Sequence, residues 1–272
     1  MTGPGTSPGP AIIRPMRIPP NTLTIAGSDA GGGAGLQADL KTFHAHGTHG
    51  LTAVTAVTSQ NTRGVTAVHT VPASHVRSQL DALFGDFPIA AVKTGMLGSA
   101  AITRLVATQM RRRQPAWLVV DPVMRATSGR HLLDEDALEA LVTCLVPLAD
   151  VLTPNLPEAE VLLGRPLGRD LDAAGADLLA LGARGVLLKG GHGKGRELVD
   201  RYYDARGVIE LRHPRLPIEG HGSGCTLAAA VTAALARGKS PRTAVREAIA
   251  WTNWAFRRAW KPGGGEVHVL GH

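Results

Sequence analysis

Short apolar runs alternate with longer segments of helical period along most of the chain. Leu23–Ala26 is an apolar strand that enters a glycine loop, and the spacing after it predicts a helix from about Gly33 to His46. Gly50–Thr58 is rich in β-branched residues and reads as a strand, as does Ile89–Lys93. Ala100–Arg113 has helical period, Trp117–Val120 is a strand ending in Asp121-Pro122, and Asp134–Leu148 is a predicted helix with acids in its first turn. A strand at Val151–Thr153, a helix at Ala173–Ala183 and a strand at Gly185–Lys189 come next. Glu197–Tyr203 and Val208–Leu211 read as an antiparallel pair turning near Arg206-Gly207. Two helices, about Gly224–Arg237 and Arg242–Trp260, complete the pattern.

Strands alternating with helices imply an α/β fold with a mostly parallel central sheet covered on both faces. Residues 1–20 are rich in Pro and Gly without any period and are expected to be a disordered tail; residues 21–272 are expected to form the folded domain. In such folds ligands bind beyond the carboxyl ends of the strands. Those positions hold Gly27-Ser28-Asp29, Ser59-Gln60-Asn61, Lys93-Thr94-Gly95-Met96, Asp121-Pro122-Val123-Met124, Thr153-Pro154-Asn155 and Lys189-Gly190-Gly191-His192. Nearly all are polar or glycine-rich, which predicts a site assembled from many loops.

Composition narrows the class. Apolar residues make up 44% and charged residues 19% of 272, which suits a globular chain. No apolar stretch reaches the roughly 20 residues that span a bilayer, and no secretory signal is visible, so no membrane partner is expected. The two cysteines, Cys144 and Cys225, make no disulfide framework and fit a reducing cytoplasm. The net charge of +7 would suit a nucleic acid, but aromatic residues are only 4%, leaving little for bases to stack on. A modest positive field also suits phosphorylated ligands.

Three segments carry chemistry. Gly31–Asp39 stacks glycines between a strand and a helix, where backbone N–H groups can approach a ligand. It fits a loose dinucleotide pattern, but the second strand ends in Thr58-Ser59-Gln60 rather than in the acid that would hold a ribose. Gly222-Ser223-Gly224-Cys225-Thr226 opens an apolar helix and would expose consecutive N–H groups to an anion. Cys225 in that first turn is expected to have a thiol pKa lowered toward neutrality by the helix dipole. Thr153–Glu158 places Asn155 and Glu158 three apart, which suits either a helix cap or oxygen ligands for Mg²⁺, or both together. No Walker A loop is present, and His44, His46 and His49 straddle a helix end at Gly47 rather than forming a metal cluster.

Taken together, IAGSDAGGGAGLQADLKTF, VTSQNTRGV, KTGMLGS, DPVM with Ser128-Gly129, TPNLPEAEVLLG, KGGH and HGSGCTLAAA resemble the ribokinase-like small-molecule kinases. Within them the chain is similar to the hydroxymethylpyrimidine/phosphomethylpyrimidine kinases of thiamin biosynthesis, from Leu23 to about Gly265. The resemblance implies a three-layer α/β/α sandwich and MgATP-dependent phosphorylation of 4-amino-5-hydroxymethyl-2-methylpyrimidine, then of its monophosphate. It implies pyrimidine contacts at Asp39, Gln60, Gly27, Met96 and Val123. It implies an anion hole at Gly222, Ser223 and Gly224, with Cys225 as catalytic base, and Asp121, Asn155 and Glu158 in the Mg²⁺–phosphate region. Lys189 would stand beside the ATP phosphates, and a homodimer is implied as well. The chain departs from the family pattern at Gly31, at Gly220 and Ser223, and at Glu266 after Gly263–Gly265; Gly220 is expected to loosen the anion-hole loop. A pyridoxal kinase on the same scaffold and a non-catalytic pyrimidine-binding module are the alternatives.

Overall fold

The computed structural model describes residues 18–124, 135–191, 195, 197–218 and 220–272. The expected tail, save its last three residues, and Ser128, Gly129 and His192 lie outside them. The strands are β1 (Asn21–Asp29), β2 (His49–Asn61), β3 (Gly64–Thr70), β4 (Ile89–Thr94), β5 (Leu118–Val120), β6 (Val151–Leu152), β7 (Gly185–Leu188), β8 (Glu197–Asp204), β9 (Gly207–Pro214), β10 (Gly220–His221) and β11 (His268–Val269). The helices are α1 (Gly35–Ala45), α2 (Ala73–Asp86), α3 (Ala100–Arg113), α4 (Glu135–Ala140), α5 (Leu156–Leu163), α6 (Leu171–Ala180), α7 (Ser223–Ala236) and α8 (Pro241–Arg257).

One nine-stranded sheet runs in the order β3-β2-β1-β4-β5-β6-β7-β8-β9. The six central strands are parallel; β3 pairs antiparallel with β2 at one edge, and at the other β8 pairs antiparallel with both β7 and β9. Alternation within the strands explains the layers. Val120, Leu152 and Leu188 point to one face and pack with Leu80, Ile102, Val106 and Leu178. Val119, Val151 and Leu187 point to the other and pack with Ala230, Val231, Val245 and Ala248. Helices α2 to α6 therefore cover one side, and α1, α7 and α8 the other. The result is the α/β/α sandwich that the alternation implies.

Helix α7 is buried on every side from Thr226 to Leu235, which is why its sequence is apolar all round. Its N-terminus is held by β10, which pairs in parallel with β11 just before the turn at Gly222. Several elements differ from the sequence reading. The predicted helix over 134–148 is α-helical only to Ala140 and then widens and tightens before Leu148. Strand β3 and helix α2 carried no strong pattern: β3 is half exposed and α2 buries only Val76 and Leu80.

Candidate active site

The carboxyl ends of β1, β4, β5, β6 and β7 and the start of α7 enclose one cavity of about 1300 Å³. Of the residues expected at the site, Gly27, Gln60, Met96, Val123, Asp121, Asn155, Glu158, Lys189, Gly222, Ser223, Gly224 and Cys225 all line it. Asp39 does not. It is fully buried on α1, where both carboxylate oxygens lie 2.8 Å from the equally buried Lys93 ammonium and one accepts from Thr24 at 2.6 Å. Its carboxylate is committed beneath the site, so the expected pyrimidine contact at Asp39 is corrected to a structural ion pair. Burial pushes Asp39 up from the ordinary carboxylate range. Burial pulls Lys93 down, yet the charges of Asp39, Cys225 and Asp121 outweigh it and hold the amine above its usual range.

Close backbone approach shapes the phosphate end. Gly222 has φ +73°, and a Cβ there would lie 2.0 Å from the Gly33 carbonyl oxygen. Gly35 has φ +53°, and its Cβ would lie 2.3 Å from the Gly27 oxygen. A Cβ on Gly33 would stand 2.5 Å from the His221 ring. The glycine loop and the α7 turn thus interlock through bare backbone, and the first N–H groups of α7 are left facing the cavity. At Gly220, where loosening was expected, the Phe256 ring stands in the space that a side chain would need, 2.3 Å from where a Cβ would lie.

Lys189 reaches the same place from β7. Its ammonium is 3.1 Å from Asp121 and 3.8 Å from Glu158, and Gly224 has no Cβ to crowd it. Burial pulls this amine down, but Asp121 and Glu158 outweigh it and raise it above the usual lysine range. Burial likewise raises Glu158, against the pull of Lys189. Thr153 donates to Asp121 at 3.0 Å. Asn155 and Glu158 form a reciprocal capping box at the start of α5.

Cys225 is the third residue of α7 and half-buried. Burial pushes its thiol up to about 11; Asp121 and Asp39 add to the rise, while Lys93 and the Gly35 N–H oppose it. The expected lowering toward neutrality is therefore reversed, because loss of water around the sulfur outweighs the helix terminus.

Sequence reasoning passed over Asp29 and His221. Asp29 accepts from the backbone of Gly31, Gly33 and Ala34 at 2.8, 3.0 and 2.8 Å, and lies 3.0 Å from His221 Nε2. Burial raises Asp29, but the His221 and backbone hydrogen bonds outweigh it and hold the carboxyl low. An Asp that opens a glycine loop, and a His directly before Gly-Ser-Gly-Cys, were the available signals.

Comparison with known proteins bears on this arrangement. Residues 29–270 match the family model described as phosphomethylpyrimidine kinase. The chain belongs to this family. It is 46% identical over 254 residues to the hydroxymethylpyrimidine/phosphomethylpyrimidine kinase of Rhizobium meliloti (strain 1021), covering 90% of this chain and 95% of that one. Among solved structures, the phosphomethylpyrimidine kinase of Clostridium difficile 630 is 42% identical with TM-score 0.78, over 87% of this chain and 99% of that one. Bacillus subtilis pyridoxal kinase, solved as an ADP complex, is 35% identical with TM-score 0.85, over 93% of this chain and 97% of that one. The ribokinase-like fold and a phosphotransferase activity follow from membership in this kinase family.

Proposed function

We propose that this chain uses ATP to phosphorylate the hydroxymethyl group of 4-amino-5-hydroxymethyl-2-methylpyrimidine and then the resulting monophosphate, giving the diphosphate. One observation carries the reading. Gln60, Met96 and Val123 share a single cavity with the α7 N-terminus, Lys189 and Cys225. An amide, a thioether and an aliphatic wall suit a flat aminopyrimidine, and the opposite wall suits a phosphoryl group.

Phosphoryl transfer asks a protein chiefly for alignment and charge. The N–H groups of Ser223, Gly224 and Cys225 receive the equatorial oxygens, and the Lys189 ammonium offsets their growing charge. Cys225 Sγ, as the thiolate, takes the hydroxyl proton as the substrate oxygen bonds to the γ-phosphorus of ATP and the bond from that phosphorus to ADP breaks. Gly222, with no side chain, lets that turn close on the glycine loop and exclude water. The oxygen donors Asp121 and Glu158 both line the cavity and fit Mg²⁺, which is commonly held by one or two carboxylates with waters and phosphates. Bound there, the ion would supply charge neutralisation at the phosphates.

We further propose a homodimer acting in the cytoplasm, with residues 21–272 as the kinase domain. No helix among the described residues is long and apolar enough to cross a membrane, and both cysteines are unpaired. The close superposition on pyridoxal kinase favours pyridoxal as the second substrate to try. ADP release with MgATP and, separately, hydroxymethylpyrimidine, its monophosphate or pyridoxal tests the proposal. Turnover on the first two is expected; turnover on pyridoxal alone would overturn it.

A further inference from the structure

Four groups on the cavity wall form a hydrogen-bonded chain that the phosphoryl chemistry does not use. His221 Nε2 lies 3.0 Å from Asp29 Oδ2, and the Gln60 amide reaches the same nitrogen at 2.9 Å. The other end of that amide lies 3.2 Å from Thr58 Oγ1, which donates its own hydrogen to the Ser28 carbonyl at 2.9 Å. Asp29 already receives three backbone N–H groups, an arrangement that favours the ionised carboxylate. An ionised carboxylate only accepts, so His221 Nε2 carries a hydrogen and points it at Asp29. That nitrogen cannot accept from an amide N–H. Thr58 Oγ1, its hydrogen spent on Ser28, can accept but cannot donate again.

The two ends of a glutamine amide have the same shape, so the donor and acceptor count decides which end is which. The orientation that avoids two facing N–H groups places the Gln60 oxygen at His221, where it shares the Nε2 hydrogen with Asp29, and its NH₂ at Thr58. We propose that His221, held by Asp29, is a positioning residue that locks the Gln60 amide one way round and thereby selects a 4-aminopyrimidine edge over a 4-oxopyrimidine edge. These edges present opposite orders of donor and acceptor: ring nitrogen acceptor and amino donor in one, ring N–H donor and carbonyl acceptor in the other. An amide free to turn reads both; a locked amide reads one. This rests on the reading that Gln60 meets the ring.

The test is the ratio of kcat/KM for 4-amino-5-hydroxymethyl-2-methylpyrimidine to that for its 4-oxo counterpart. A ratio does not depend on how much of a variant folds. The wild type is expected to favour the amino ring. His221→Leu is expected to lower the ratio about tenfold or more, the cost of one mismatched buried hydrogen bond. His221→Gln, whose amide N–H can still donate to Asp29, is expected to restore most of it. Gln60→Leu is expected to abolish the preference. If Gln60→Leu leaves the ratio unchanged, the ring contact itself is wrong. If Gln60→Leu abolishes the ratio while His221→Leu keeps it, the lock is refuted and the ring contact stands. A wild type without preference also overturns the lock.

Discussion

The pH dependence of turnover is the most direct probe of Cys225. With the thiol at about 11, pH 7.5 lies about 3.5 units below it, so roughly one molecule in 3000 carries thiolate. Burial raises the pKa, so the active fraction grows with pH. The logarithm of kcat/KM for hydroxymethylpyrimidine should climb with a slope near one from about pH 7 to 9, without a plateau. Cys225→Asp should flatten the profile, because a carboxylate is ionised across most of this range even when burial raises it. Cys225→Ala should lose about a hundredfold or more in turnover, the usual worth of a positioned base, and with it the slope. Iodoacetamide inactivation in a Cys144→Ser background should rise with pH in parallel. A plateau between pH 7 and 9 in the wild type, or an unchanged slope in Cys225→Ala, would refute the reasoning.

Two further outcomes are expected. Gly222→Ala forces a side chain into a left-handed turn and onto the Gly33 carbonyl, so kcat should fall about a hundredfold, as on loss of an anion-hole donor, with a much smaller change in KM. Lys93→Met strands the Asp39 carboxylate at zero exposure and should cost about 3–5 kcal/mol by thermal denaturation, most of it recovered in the Asp39→Asn, Lys93→Met double variant.

Much of this architecture was legible because the physics is local. Strands β5, β6 and β7 are short runs without a polar residue since both faces are covered, and the alternation with helices leaves few topologies. The strand-end residues and Gly222–Cys225 stand out because glycine and polar residues interrupt those runs. What escaped depends on distance in sequence. Nothing near Asp39 announces Lys93, 54 residues away, so a buried ion pair resembled a binding carboxylate. The Cys225 thiol was misjudged because a helix N-terminus is visible in sequence, whereas burial and the charges of Asp121 and Asp39 are not. Strands β10 and β11 are two residues each and carry no period at all. Phe256 filling the place beside Gly220 is likewise a tertiary fact.

The interlock of Gly33 with Gly222 and of Gly35 with Gly27 also bears on how such an enzyme can change over generations. The carbonyl oxygens of Gly33 and Gly27 block any side chain on Gly222 and Gly35, and every residue carries such a carbonyl, so no substitution at the partner position opens a path for either glycine. The wall at Met96 and Val123 is built of side chains instead of backbone carbonyls. New ring preferences can accumulate there one substitution at a time, while the phosphate end stays frozen.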